Sequence, residues 1–292
     1  MSTRAAPLLE ASDSSYKLRK AKDRLIRGLC VAFTLLALVP LFSVLYYLTA
    51  RGIGGVNLAF FTELPRPVGE TGGGMANSIV GSAQLVGLAC LFGIPPGLLA
   101  GIYLAESGKG GLAKVIRFTA DVLAGVPSIT VGVFVYSLLV LTLGRFSMLA
   151  GAVALAVLMV PTVTRTTEEL MRLVPEQLRE AGLGLGLPRW RVTLKITLRT
   201  ALPGIATGIM LAVARVAGET APLLFTAFSN RFWNDGIDQP VSSLPVQIYT
   251  YAVSPFEDWH QQAWAAAFVL VVFILILNIT ARLLVRHRVK GR

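Results

Sequence analysis

Apolar residues in this chain come in long blocks separated by short polar tracts. Six blocks stand out, at about Leu29–Ala50, Asn77–Ala105, Thr119–Leu143, Met148–Thr166, Pro203–Phe228 and Ala263–Val285. A helix crossing a hydrocarbon core about 30 Å thick needs about 20 such residues. The pattern therefore predicts an all-α integral membrane protein with six transmembrane helices. Tyr46, Tyr47, Trp259 and Trp264 fall near predicted helix ends, where amphipathic rings anchor at the interface. The first block follows Lys17, Arg19, Lys20, Lys22, Arg24 and Arg27, the arrangement of a signal peptide. Its apolar stretch and its polar lead are both too long for that, so it reads as an uncleaved first helix. The Ala- and Ser-rich lead, Met1–Ser15, is expected to lack structure.

Composition agrees with the blocks: 54% hydrophobic and 15% charged residues, with a mean hydropathy of +0.66, exclude an ordinary soluble domain. The net charge of +11 raises nucleic acid as a partner, but its distribution argues for topology instead. With an inward start, Lys109, Lys114, Arg117, Arg172, Arg179, Arg189, Arg191, Lys195 and Arg199 join both tails on the inner side. The outer side keeps Arg51, Arg66, Arg145 and Arg231 beside Glu63, Glu70, Asp235, Asp238, Glu257 and Asp258. That asymmetry places both termini in the cytoplasm and leaves no call for nucleic acid. The organisation expected is a basic cytoplasmic tail over 1–28, a membrane domain over 29–285 with an inner loop at about 168–202, and a basic tail over 286–292.

No chemistry of bond-making is visible. Cys30 and Cys90 lie inside apolar blocks, far from any Cys/His cluster, and read as buried packing thiols. His260 and His287 fall on opposite sides of the membrane, so no zinc site is expected. Gly108-Lys109 lacks the spacing of a phosphate-cradling loop, and Gly182-Leu183-Gly184-Leu185-Gly186 lacks that of a dinucleotide fingerprint. The chain is expected to be no enzyme and to bind no cofactor itself, so uphill work needs a partner or an ion gradient. Gly93, Gly97 and Gly101 repeat on one face of the second block, and Gly204 and Gly208 on the fifth, which suits close helix packing. Pro40, Pro95, Pro96, Pro127, Pro161 and Pro222 bend helices or free carbonyls, a feature tolerated where protein or a cavity satisfies them.

The fifth block holds the sharpest signal, Arg215-Val216-Ala217-Gly218-Glu219-Thr220-Ala221-Pro222. Counted from Pro203, Arg215 lies about 18 Å along a helix, near mid-membrane. An arginine there costs roughly 2.5–3.5 kcal/mol unless it faces a partner or a wet cavity. Two readings stand. Arg215 and Glu219 pair at i,i+4 and neutralise each other, or the guanidinium offers its planar fork to an oxyanion while the carboxylate takes part in gating.

The tract between the fourth and fifth blocks contains Glu180-Ala181-Gly182, then Gly186, Ile196 and Leu198, with Leu202-Pro203 following. This spacing resembles the EAA loop of bacterial ABC-importer permeases. Asn77-Ser78-Ile79-Val80-Gly81, Ala120-Asp121-Val122-Leu123-Ala124-Gly125-Val126-Pro127-Ser128-Ile129, Pro161-Thr162-Val163-Thr164-Arg165-Thr166 and Arg215-x-x-Gly-Glu-Thr-Ala-Pro occur in family order over about Gly72 to Phe228. Together they resemble the permeases of the bacterial phosphate (Pst) importer, the PstA-like subunit more than the PstC-like one. Gly182 stands where the loop consensus has a second alanine, and Arg199 where it has proline.

The resemblance implies a type I ABC-importer permease fold and an inner-membrane subunit of an ATP-driven phosphate importer. It implies a second, PstC-like permease, two PstB-like ATPase subunits that bind the ATP and magnesium, and an extracytoplasmic PstS-like binding protein. Glu180, Ala181, Gly182, Gly186, Trp190 and Leu194 would form a helix-turn-helix that docks on the ATPase. The alternative is a basic amphipathic loop lying on headgroups. Arg215, Glu219 and Thr220 would line the path or gate. Arg165 would help release the anion, unless it serves as a snorkelling anchor. Asp121 either pairs with another charge or caps a helix. Other functions within reach are a permease for sulfate or molybdate, and an ATP-independent anion channel or carrier.

Overall fold

The computed structural model describes residues 13–70 and 72–290, and for residues 13–15, 281, 282 and 284–290 the backbone alone. Most of the Met1–Ser15 lead, His287 and the basic side chains of the 286–292 tail lie outside the described residues. The chain divides into two units, one through Ala50 and one from Arg51 onward.

The first unit is the helix α1, Asp13–Gly52. Its 40 residues amount to about 60 Å, twice a bilayer core. Its apolar portion has a mean hydropathy of 2.4, and taken by itself the helix presents apolar side chains all round its surface. Cys30 sits exposed on that surface, which corrects its reading as a buried thiol. Burial is no requirement there, because lipid solvates a thiol as a core would.

The second unit is built from helices throughout its described residues. A short helix α2, Leu58–Thr62, is capped by Asn57, whose side chain accepts from the Phe60 amide. Then come α3 (Ala76–Ser107), α4 (Gly111–Gly125), α5 (Ser128–Leu143), α6 (Met148–Arg172), α7 (Glu176–Gly184), α8 (Arg189–Ala217), α9 (Ala221–Thr226), α10 (Leu244–Ala252) and α11 (Glu257–Lys290). Among the described residues five helices are long and apolar enough to span a membrane, and a sixth span arises if α4 and α5 count as one.

That sixth span is not the straight helix expected over Thr119–Leu143. α4 and α5 meet at 106° across Val126-Pro127. Proline forces its predecessor out of the helical region, and Val126 accordingly sits at φ −72, ψ +131. The fifth block also differs. Its helix starts earlier, at Arg189, and stops at Ala217, before the short α9 resumes. The two interruptions lie close together, because Gly132 of α5 packs on Pro222 of α9, where a Cβ would come within 2.6 Å of the Pro222 Cα.

The centre of the bundle is α3 against α6. Gly93, Gly97 and Gly101 approach Ala156, Val163 and Thr167 in turn, so the two helices run parallel. α8 runs antiparallel to α6, with Gly204 on Leu170 and Gly208 on Thr166. Around these seams Leu85, Ala89, Val135, Leu155, Met159, Val163, Ala212 and Val216 form one core. At the end of the bundle away from α7, a polar seam replaces apolar packing. Ser78 and Ser242 hydroxyls bond at 2.8 Å, the Leu244 amide donates to Ser82 Oγ at 2.7 Å, and Asn77 Nδ2 donates to the Asn230 carbonyl at 2.7 Å. These bonds fix the segment between α9 and α10 against the start of α3.

Candidate functional site

Arg215 occupies the last turn of α8, just before Gly218 ends the helix. Its depth follows from the packing register. Gly204 faces Leu170 and Gly208 faces Thr166, so seven further residues bring Arg215 level with Met159. Met159 lies midway along the 25-residue α6. The earlier start of α8 thus changes the count from Pro203 but not the conclusion that Arg215 sits near mid-span.

The side chain of Arg215 is exposed, and among the described residues it has no hydrogen bond or ion pair. The i,i+4 pair with Glu219 is therefore not formed. A pair of that kind needs continuous helix, and Gly218 interrupts it: the Gly218 and Glu219 amides bond back to Arg215 and Val216. Glu219 and Thr220 are half-buried in the break, and Thr220 begins α9 with its carbonyl accepting from the Leu223 and Leu224 amides. The negative end of the α8 dipole stabilises a cation in its last turn by about 0.3–1 kcal/mol. That is less than the insertion cost of an arginine at this depth. Among the described residues no acid supplies the remainder. The exposed Leu211, one turn earlier, continues this face with apolar surface.

Arg165 is not free. Its guanidinium forms an ion pair with Asp121, joining α6 to α4 just ahead of the bend at Pro127. This settles Asp121 as a pairing residue rather than a cap, and it occupies Arg165 in a way that neither sequence reading anticipated. By the same register Arg165 is level with Ile209, about 9 Å from Arg215 toward α7.

The expected docking loop is a helix-turn-helix. α7 carries Glu180, Ala181 and Gly182, the chain turns over 185–188, and α8 begins with Arg189 and Trp190. Gly186 adopts φ +78 with open space around it, a left-handed position that glycine takes without strain. Gly182 is buried against the returning helix, where a Cβ would lie 2.6 Å from Ile196 Cδ1 and 3.1 Å from Val192 Cγ2. An alanine there would oblige the end of the Ile196 side chain to shift. Glu180 and Ala181 face outward. Leu178, Leu183, Leu185, Trp190 and Leu194 are all exposed, and Leu185 retains 82% of its accessible surface. The elbow thus presents several large apolar side chains on its surface.

Polar contacts at the elbow end were not anticipated from the sequence. Glu168 is buried at 4% exposure, and its Oε1 receives Arg117 Nε at 2.8 Å and lies 2.8 Å from Arg172 Nη2. Arg117 also donates to the Gly108 and Leu104 carbonyls, the free end of α3. The Glu168–Arg172 spacing of four was a visible hint. The Arg117 contact spans 51 residues and had none.

The family model described as "Binding-protein-dependent transport system inner membrane component" matches residues 97–290. The chain is 47% identical over 280 residues to the phosphate transport system permease protein PstA of Yersinia pestis, covering 96% of this chain and 95% of that one. It is 45% identical to the PstA of Haemophilus influenzae, with 92% and 96% covered. Among solved structures, a bacterial ABC transporter that imports alginate aligns with a TM-score of 0.65 at 16% identity, over 94% of this chain and 99% of that one. The inward-facing MetNI methionine ABC transporter aligns at 0.61 and 19%, over 73% and 96%. These likenesses establish a type I ABC-importer permease fold. With a family model over most of its length and near-full-length relatives approaching half identity, the chain belongs to the inner membrane components of binding-protein-dependent transport systems, in the branch of the PstA permeases.

Proposed function

We propose that this chain is a permease subunit of an ATP-driven phosphate importer, and that the anion passes along its open face at Arg215. The observation that carries the reading is the guanidinium itself: mid-span, exposed and unpaired among the described residues, beside a break in its helix. A fixed cation of that kind is tolerated where an anionic cargo and its water pass. The planar fork matches phosphate oxygens, and Glu219 and Thr220 sit in the same break to accept or donate hydrogen bonds. A second permease, PstC-like, closes the open face and completes the path. Two PstB-like ATPase subunits, which hold ATP and magnesium, dock on the elbow. A PstS-like protein delivers phosphate at the opposite end. The basic elbow end faces the cytoplasm together with both termini, by the positive-inside rule. Arg165 joins the path only when its pair with Asp121 opens.

The test is phosphate uptake by the assembled complex in proteoliposomes. Arg215→Ala removes charge-assisted hydrogen bonds worth about 1.5–3 kcal/mol, so uptake should fall about 10- to 100-fold while the subunit still inserts and assembles. Normal uptake by that variant refutes the site. Competition by sulfate or molybdate on a par with phosphate redirects the cargo to another oxyanion. Phosphate flux through the purified chain without ATPase refutes the pump.

A further inference from the structure

We infer that Glu106 is the residue that transmits motion of the elbow to the membrane core, a positioning role distinct from docking or from contact with the anion. Glu106 lies at the end of α3, next to its last residue. One of its carboxylate oxygens accepts from Arg179 Nη1 at 2.9 Å, and the other accepts from the Thr193 hydroxyl at 3.1 Å. Arg179 belongs to α7 and Thr193 to the start of α8, so a single carboxylate holds both arms of the elbow. Among the described residues, every polar bond from the elbow to α3 ends on Glu106. The Thr193 hydroxyl has the Arg189 carbonyl as a second acceptor, also at 3.1 Å, which makes the Arg179 link the firmer half.

Arg179 is itself well placed for the task. Its other terminal nitrogen donates to the Met171 carbonyl at 2.8 Å, so it reaches the last turn of α6 as well. Its neighbour Glu180 stands on the outward surface of the elbow. The Arg179 and Glu106 side chains keep 19% and 27% of their surface, enough burial to hold one geometry. α3 is in turn the helix whose three glycines seat it on α6. A push on α7 therefore reaches α8, which carries Arg215, through the covalent turn, and reaches α3 and α6 through Glu106 and Arg179. Without the clasp, motion of α8 reaches α6 and α3 only through side-chain packing.

This inference rests on the proposed pump, and its test separates the two. The full complex is reconstituted with its binding protein, and ATP hydrolysed and phosphate imported are measured in the same vesicles. Glu106→Gln keeps the shape and removes the charge. It should leave ATPase co-purification and stimulated hydrolysis near wild type while phosphate moved per ATP falls at least threefold. Arg179→Gln should do the same, and the double variant should lose less than the two single losses combined, because the two share the Arg179–Glu106 link. An unchanged ratio in Glu106→Gln overturns the role, as does loss of bound ATPase in proportion to loss of transport. If Glu106→Gln fails to insert, Arg179→Gln decides by itself, because it removes the firmer half of the link. A fall in its ratio supports the clasp, and an unchanged ratio overturns it. Failure of the wild-type complex to import phosphate would strike the cargo reading instead.

Discussion

Alanine substitutions at Gly93, Gly97 and Gly101 should destabilise the protein in that rising order, although the three glycines lie on one face at equal spacing. A Cβ at Gly93 would meet the Ala156 carbonyl oxygen at 3.2 Å and the Met159 Cβ at 3.3 Å. At Gly97 it would lie 2.9 Å from the Val163 Cβ, and at Gly101 only 2.5 Å from the Thr167 Cβ and 2.7 Å from the Thr164 carbonyl oxygen. Comfortable carbon contacts are about 3.5–4.0 Å, so the intrusions are about 0.3, 0.6 and 1 Å. The atoms met are backbone or Cβ, which move only if a helix moves. Overpacking of this kind costs about 1–3 kcal/mol, and exchanging glycine for alanine inside a helix returns up to about 1 kcal/mol.

Gly93→Ala should therefore be close to neutral, Gly97→Ala should lose about 1 kcal/mol, and Gly101→Ala about 2 kcal/mol, the overpacking cost less the helix gain. Thermal unfolding of the purified complex in one detergent, followed by intrinsic fluorescence, ranks the three. Equal midpoints, or Gly101→Ala as stable as wild type, would refute the claim that α3 and α6 converge toward the elbow end. They would also weaken the route by which α3 carries motion to α6.

Two further outcomes follow from the site. Gly186→Val should abolish ATPase co-purification, since a β-branched residue is strained at φ +78, whereas Gly186→Asn should retain much of it; equal binding by both variants would exclude the tight turn as the docking determinant. Asp121→Asn and Arg165→Gln should show a coupling energy of about 1 kcal/mol in a double-mutant cycle on thermal stability, a modest value because both side chains are about half exposed. Additive effects would mean that the two groups do not pair in the folded protein.

The elbow was legible because its determinants are local. Glu180, Gly182 and Gly186 lie within one turn-forming segment, and a left-handed glycine leaves its mark wherever a helix must reverse. The spans were legible for a related reason, since hydropathy sums over a window without regard to helix direction. That same indifference hid the two interruptions. Thr119–Leu143 remains apolar through a 106° bend, and Pro203–Phe228 remains apolar through the break at Gly218–Thr220. Pro127 and Gly218 mark where those breaks occur. What holds them open is Gly132 seated on Pro222, a contact across ninety residues that no periodicity encodes. The charges divide in the same way. The basic tracts were read as topology, but Arg117, Arg165 and Arg179 are each committed to an acid on another element. Arg215 is the contrasting case, an arginine deep in the span with no acid paired to it among the described residues. Those three arginines are satisfied among the described residues, and the proposed passage of an anion is what would offset the cost of leaving Arg215 without an acid at that depth.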